Sequence, residues 1–181
     1  MSKKIVVITG SPRKNGNSFA MTDAFIEAVE KNGHTVTRFD AAEINVVGCR
    51  ACDGCYKDGK ACAVSDDFNE IAPAIEGADA IIFTMPLYWY SFPAQIKAVI
   101  DKFYSFCVAE KDVSGKECAV LACCEEDDAS MMDGITGPCK HIARLLGWNY
   151  IGEVLVTSVH YPEDIHKTDG ISRVAEFAGK I

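Results

Sequence analysis

Four consecutive apolar residues, Ile5-Val6-Val7-Ile8, run directly into Thr9-Gly10-Ser11-Pro12-Arg13-Lys14-Asn15-Gly16-Asn17-Ser18. The first run reads as a buried strand and the second as a donor-rich loop that opens a helix. Ser11, Asn17 and Ser18 bring side-chain hydrogen bonds, Arg13 and Lys14 bring positive charge, and the glycines permit a tight turn. A helix starting at the same place adds unpaired N–H groups and its positive dipole end. Together these features read as a phosphate cradle on the first strand–helix turn of an α/β sheet. A Walker A loop is excluded, because Gly16 is followed by Asn17 rather than by Lys and Ser or Thr. The G-x-G-x-x-G dinucleotide fingerprint is excluded too, because Gly10 is followed by Ser-Pro. The competing reading is an ordinary polar turn.

The same alternation continues along the chain. After the strand Lys4–Thr9, a helix is expected over residues 17–31, with Met21, Phe25, Ala28 and Val29 on its core face and Asn32-Gly33 closing it. Strands are expected at His34–Phe39, Ala80–Thr84, Glu117–Cys123 and near Tyr150–Ser158. Between and after them, helices are expected near Asp67–Ile75, from Pro93 through the stripe Ile96, Val99, Ile100 and Phe103, from Pro138 to Gly147, and over about Thr168–Ala178. Five such units in 181 residues predict one domain, residues 1–181, built as a doubly wound five-stranded parallel sheet of order 2-1-3-4-5 with helices on both faces.

Composition limits the partners. A net charge of −8 argues against a nucleic-acid groove, while the few cations near the cradle still suit a phosphate. No apolar run is long enough to span a bilayer, and Met-Ser-Lys-Lys leads into a strand rather than a signal peptide, so a soluble cytoplasmic protein with no membrane association is expected.

Residues 40–65 break the rhythm, forming a connection far longer than usual. They carry Cys49, Cys52, Cys55 and Cys62, a C-x2-C-x2-C-x6-C run. Two-residue gaps let thiolates converge from one tight turn, which suits a 4Fe-4S cluster better than structural zinc. Thiols used for packing or redox chemistry are the alternative. The other five cysteines read as packing, and His34, His141, His160 and His166 as structural or surface residues.

A second unusual stretch follows the third strand: Met85-Pro86-Leu87-Tyr88-Trp89-Tyr90-Ser91-Phe92-Pro93. Aromatic and proline residues cluster here, where a chain normally turns polar. They call for a planar ligand or a partner surface, or else they cap the sheet edge. After the fourth strand, Glu125-Glu126-Asp127-Asp128 follows Cys123-Cys124, a carboxylate run unfavourable to a dinucleotide that carries an extra phosphate.

The 10–18 loop resembles the mononucleotide-binding loop of the flavodoxin-like NAD(P)H-dependent FMN reductases, G-S-x-R-x-x-S/G-N-S. The segment from Thr84 to Lys102 is similar to the second flavin-contacting segment of those enzymes and of iron–sulfur flavoproteins, with Lys102 where an Arg is usual. The cysteine spacing resembles the compact cluster motif of the iron–sulfur flavoproteins. Asp66-Asp67-Phe68-x-x-Ile71 matches both them and their cluster-free relatives. The resemblance implies FMN held by Ser11, Arg13, Asn15, Asn17 and Ser18 at its phosphate and by Pro86, Leu87, Tyr88, Trp89, Tyr90 and Ser91 at its ring, with no acid–base residue required. It implies an oxidoreductase that takes electrons from NAD(P)H, or from a ferredoxin-like protein through a cluster on the four cysteines, and hands them to a flavin, quinone or oxygen. A flavodoxin-like carrier without NAD(P)H activity is the alternative. A homodimer or tetramer is expected, with the ring site completed by a neighbouring subunit.

Overall fold

A computed structural model describes residues 1–181. Strand β1 (Lys4–Thr9) is buried along its apolar run and pairs with β2 (Thr35–Asp40) on one side and β3 (Ala80–Pro86) on the other. Strands β4 (Glu117–Cys123) and β5 (Asn149–Val156) extend the sheet beyond β3. All pairs are parallel and the order is β2-β1-β3-β4-β5, as the alternation of elements predicts. The register sets Ile8 opposite Phe39 on one side and Phe83 on the other. Because the chain leaves β1 towards β2 and returns to add β3 on the far side, a crevice opens at the carboxyl ends of β1 and β3.

Helices cover both faces. Helices α1 (Asn17–Lys31) and α6 (Gly170–Ala178) bury Met21, Phe25, Val29, Val174 and Phe177 on one face, in a cluster with Ile5, Val7 and Ile82. The opposite face carries α2 (Phe68–Glu76), α3 (Ala94–Asp101), α4 (Tyr104–Val108) and α5 (Asp133–Leu146), around Val6, Ile8, Phe83 and Val120. No helix is long and apolar enough to cross a membrane.

Two helices depart from the sequence reading. The stripe through Phe103 divides, since α3 ends at Asp101 and a short α4 resumes at Tyr104. Helix α5 begins five residues before Pro138, which lies inside it. Weak helix formers fill Asp133–Pro138, so propensity alone places the start too late. Packing decides instead. Gly134 lies so close to the 86–92 loop that a Cβ there would come within 1.9 Å of the Tyr90 carbonyl oxygen.

Candidate functional site

The crevice holds a cleft of about 770 Å³. Its floor is the β1–α1 loop, where Ser11, Arg13, Gly16, Asn17 and Ser18 line the wall. The Ser11 hydroxyl accepts the Arg13 N–H (3.1 Å), and the Gly16 N–H donates to the Arg13 carbonyl (3.0 Å), fixing the turn. Helix α1 starts at Asn17 with no side chain capping it. The backbone N–H groups of Asn17 and Ser18 therefore have no partner in the protein, and the Arg13 guanidinium is exposed and unpaired. This is the arrangement that receives an anion.

The other predicted cradle residues differ. Asn17 is committed to the fold: its Nδ2 donates to the Tyr161 carbonyl (3.0 Å) and its Oδ1 accepts from the Ile165 N–H (3.1 Å). Asn15 is exposed and stands outside the cleft lining, and the Lys14 ammonium pairs with Glu43 at 2.9 Å.

The β3–α3 loop forms the facing wall through Pro86, Leu87, Tyr88, Trp89 and Tyr90. The Leu87 N–H donates to the Cys123 carbonyl (2.8 Å), and Tyr88 and Ser91 exchange backbone hydrogen bonds (3.1 and 3.0 Å). Ser91 thus closes the turn and does not line the cleft. The amides of Trp89 and Tyr90 are left without partners at the tip. Both residues have left-handed backbone, φ 46° and 59°, and Trp89 is 94% exposed. Non-glycine residues adopt such conformations at a cost and concentrate at ligand sites. The Tyr90 hydroxyl donates to Glu126 (3.1 Å), tying the tip to the turn after β4.

Of the rest of the wall, the turn after β4 was marked in the sequence by its carboxylate run, and the segment after β5 was not. Cys123, Cys124, Glu125 and Glu126 line it after β4, and Val159, His160, Tyr161 and Pro162 after β5. His160 is thus an exposed residue, as expected, and one that stands on the cleft wall. Its Nδ1 hydrogen-bonds with Glu125, and its ring meets Tyr161 edge-on at 4.4 Å. The available signal was aromatic residues and a proline at a strand's carboxyl end, the same pattern that marked 85–93. Burial pushes the Cys123 thiol up to about 12, with neighbouring Cys124 adding to it, so Cys123 stays protonated and packs. Cys107, by contrast, is exposed.

Cys49, Cys52, Cys55 and Cys62 line one small cavity together with Lys102, Tyr104 and Ser105. Burial raises the Cys55 thiol pKa, and the other three thiols reinforce the shift. The loop reaches this shape through left-handed backbone at Ala51, Asp53 and Tyr56 (φ 51°, 52° and 57°) and close contact at Gly54, where a Cβ would lie 2.6 Å from that of Ala63. Asp66 and Asp67 anchor its root by accepting the N–H groups of Val47 (3.0 Å) and Asn45 (2.7 Å). No three cysteine, histidine or acidic side chains stand close enough to grip a single metal ion.

Comparison with known proteins agrees with this geometry. The model of the family described as NADPH-dependent FMN reductase matches residues 3–158. The chain is 34% identical over 103 residues to an iron-sulfur flavoprotein of Archaeoglobus fulgidus, covering 57% of this chain and 46% of that protein. It is 35% identical over 99 residues to an iron-sulfur flavoprotein of Methanosarcina thermophila, covering 55% and 51%. The alignments thus take in about half the length of these curated relatives. Among solved structures, an FMN-dependent NADH-azoreductase from Bacillus anthracis in complex with FMN superposes with a TM-score of 0.74 at 15% identity, over 98% of each chain. An NAD(P)H:quinone oxidoreductase from Methanothermobacter marburgensis gives 0.73 at 19% identity, over 98% of this chain and 95% of that one. At such identities these two establish a shared fold. With a family match over most of its length and a crevice built where that fold places its ligands, the chain belongs to the NADPH-dependent FMN reductase family.

Proposed function

We propose that this chain binds FMN in the 770 Å³ cleft and works as an oxidoreductase, passing electrons from a reduced nicotinamide or a ferredoxin-type donor to a small acceptor such as a quinone, flavin or oxygen. The observation that carries the reading is the unpaired first turn of α1. The Asn17 and Ser18 amides, the Ser11 and Ser18 hydroxyls and the free Arg13 guanidinium converge on one wall, opposite an aromatic loop with two free amides. A phosphate on the first wall and a flat, partly polar ring against the second account for both. When bound, the isoalloxazine accepts electrons in pairs and releases them singly or in pairs. The protein's task is to hold it: Arg13 and the helix end would neutralise the phosphate, and the free Trp89 and Tyr90 amides would be donors for the ring.

The likeness to iron-sulfur flavoproteins and the four thiols around one cavity favour a 4Fe-4S cluster as a second centre. In that arrangement Cys49, Cys52, Cys55 and Cys62 would be the ligands, and the cluster would supply single-electron transfer. The deciding experiment is anaerobic purification followed by an absorption spectrum, addition of FMN, and rapid mixing with NADH or NADPH. Flavin uptake with reduction by either nucleotide supports an NAD(P)H oxidoreductase. Uptake without reduction supports a carrier, and absence of uptake overturns the assignment.

A further inference from the structure

Next to the four thiols lies a buried charge pair. Lys102 is 2% exposed, and its ammonium pairs with Asp66, which is equally buried. The same Nζ lies 3.5 Å from Cys62 Sγ, and Lys102 lines the thiol cavity. Removing two charges from water is costly, and apolar residues of similar size often serve a core as well or better. A polar group without any partner belongs to the same lining. The Ser105 hydroxyl is buried, has no hydrogen-bond partner, and belongs to a residue lining the same cavity. A buried hydroxyl is almost always satisfied, so an orphan on a residue that lines a cavity calls for an occupant that accepts a hydrogen bond.

We propose that Lys102 and Ser105 are outer donors to an anionic occupant of the thiol cavity, stabilising its reduced form and slowing its loss. This rests on the cluster reading above. An iron–sulfur core bound by four thiolates carries net negative charge, and reduction makes it more negative. The ammonium end of the pair, 3.5 Å from Cys62 Sγ, and a hydroxyl donor on a residue lining the cavity therefore favour the reduced state and raise the reduction potential. Asp66 holds the ammonium in place while it also accepts the N–H groups of Phe68 (3.3 Å) and Val47 (3.0 Å), the latter tying the pair to the root of the cysteine loop. These are positioning residues, since the thiolates themselves bind the metal.

The test is anaerobic reconstitution of the full chain with iron and sulfide, followed by potentiometric titration and by the rate of iron loss to a chelator. Wild type is compared with Ser105→Ala, Lys102→Arg and the paired Lys102→Met, Asp66→Asn variant. Wild type is expected to load about four irons per chain. Ser105→Ala and the paired variant are expected to load as well, but with a lower midpoint potential and several-fold faster iron loss, while Lys102→Arg keeps both near wild type. Ser105→Ala removes only an unsatisfied hydroxyl and leaves the fold intact, so it carries the test even where the paired variant misfolds. Loaded wild type with an unchanged potential and chelation rate in Ser105→Ala and the paired variant overturns the proposal and spares the cluster. Wild type that takes up no stoichiometric iron overturns both.

Discussion

The carboxamide of Asn17 clasps the Tyr161 backbone, with Nδ2 donating to its carbonyl at 3.0 Å across 144 residues of sequence. Its Oδ1 takes the Ile165 N–H at 3.1 Å, so one side chain joins the first turn of α1 to the loop after β5. Both segments wall the cleft. One of the side chains read in the sequence as a phosphate ligand is a clasp between two walls of the site.

Arg13 and Asn17 are therefore expected to separate. Arg13→Ala should weaken FMN binding by about 1.5–3 kcal/mol, roughly ten- to a hundredfold, with little change in apo stability, because the exposed guanidinium makes no hydrogen bond or ion pair within the protein. Asn17→Ala should lower apo stability by about 1–3 kcal/mol, because it strands the buried Ile165 N–H. FMN titration and thermal unfolding of both variants check this. Equal affinity losses with equal stability losses would contradict it.

Much of the fold was legible because β1, β3 and β4 are continuous apolar runs and α1 has a clear 3.6-residue period. The start of α5 was not, since Gly134 fits against the Tyr90 carbonyl through a contact that no local pattern encodes. The cradle was legible because its residues are contiguous. The Glu125–His160 pair and the Asn17 clasp were not, because each joins segments far apart in sequence and becomes visible only once parallel strands bring their carboxyl ends together. The Lys102–Asp66 pair was hidden for the same reason.

Gly134 has a direct test. A methyl group there meets a backbone carbonyl, which cannot rotate away, so the 86–92 loop must shift. Gly134→Ala is expected to cost about 1–3 kcal/mol through overpacking and to reduce FMN affinity at least tenfold, while far-UV circular dichroism stays near wild type. Wild-type affinity in this variant would show that the loop does not contact the ring.

Trp89 projects from the cleft's rim at 94% exposure, whereas Trp148 is buried. An exposed indole on a left-handed backbone suits burial against a ring or a second copy of the chain. FMN is expected to quench the Trp89 component of the fluorescence, and Trp89→Ala to weaken both flavin affinity and self-association. Sedimentation of the flavin-bound protein as a monomer, with unquenched Trp89, would oppose both roles.

The cysteine loop and the cleft are built from different segments, so their ligands should be separable. Cys52→Ser is expected to lose most of the iron acquired on reconstitution while retaining FMN at wild-type affinity. If the thiols are packing groups, neither protein takes up stoichiometric iron. Iron analysis alongside flavin absorbance distinguishes the outcomes.

Acidification should reach the cleft through Asp164. Its Oδ2 accepts the N–H groups of His160 (3.1 Å) and Tyr161 (2.7 Å), and its Oδ1 pairs with Lys167 at 2.7 Å. The Lys167 hydrogen bond, followed by that from the Tyr161 amide, lowers its pKa from 3.8 to about 2. Because the folded value lies below the unfolded one, the carboxylate's contribution is complete above about pH 4 and is lost as the pH falls through about 2. Near neutrality it does not vary with pH. Asp164→Asn removes the charge at every pH, so proteolysis or amide exchange within residues 159–164 should be faster than in wild type at pH 6. That gap should shrink as the pH falls from 4 towards 2, where wild type loses the same charge. A gap that stays constant across this range would show that Asp164 does not hold the His160–Tyr161 wall by its charge.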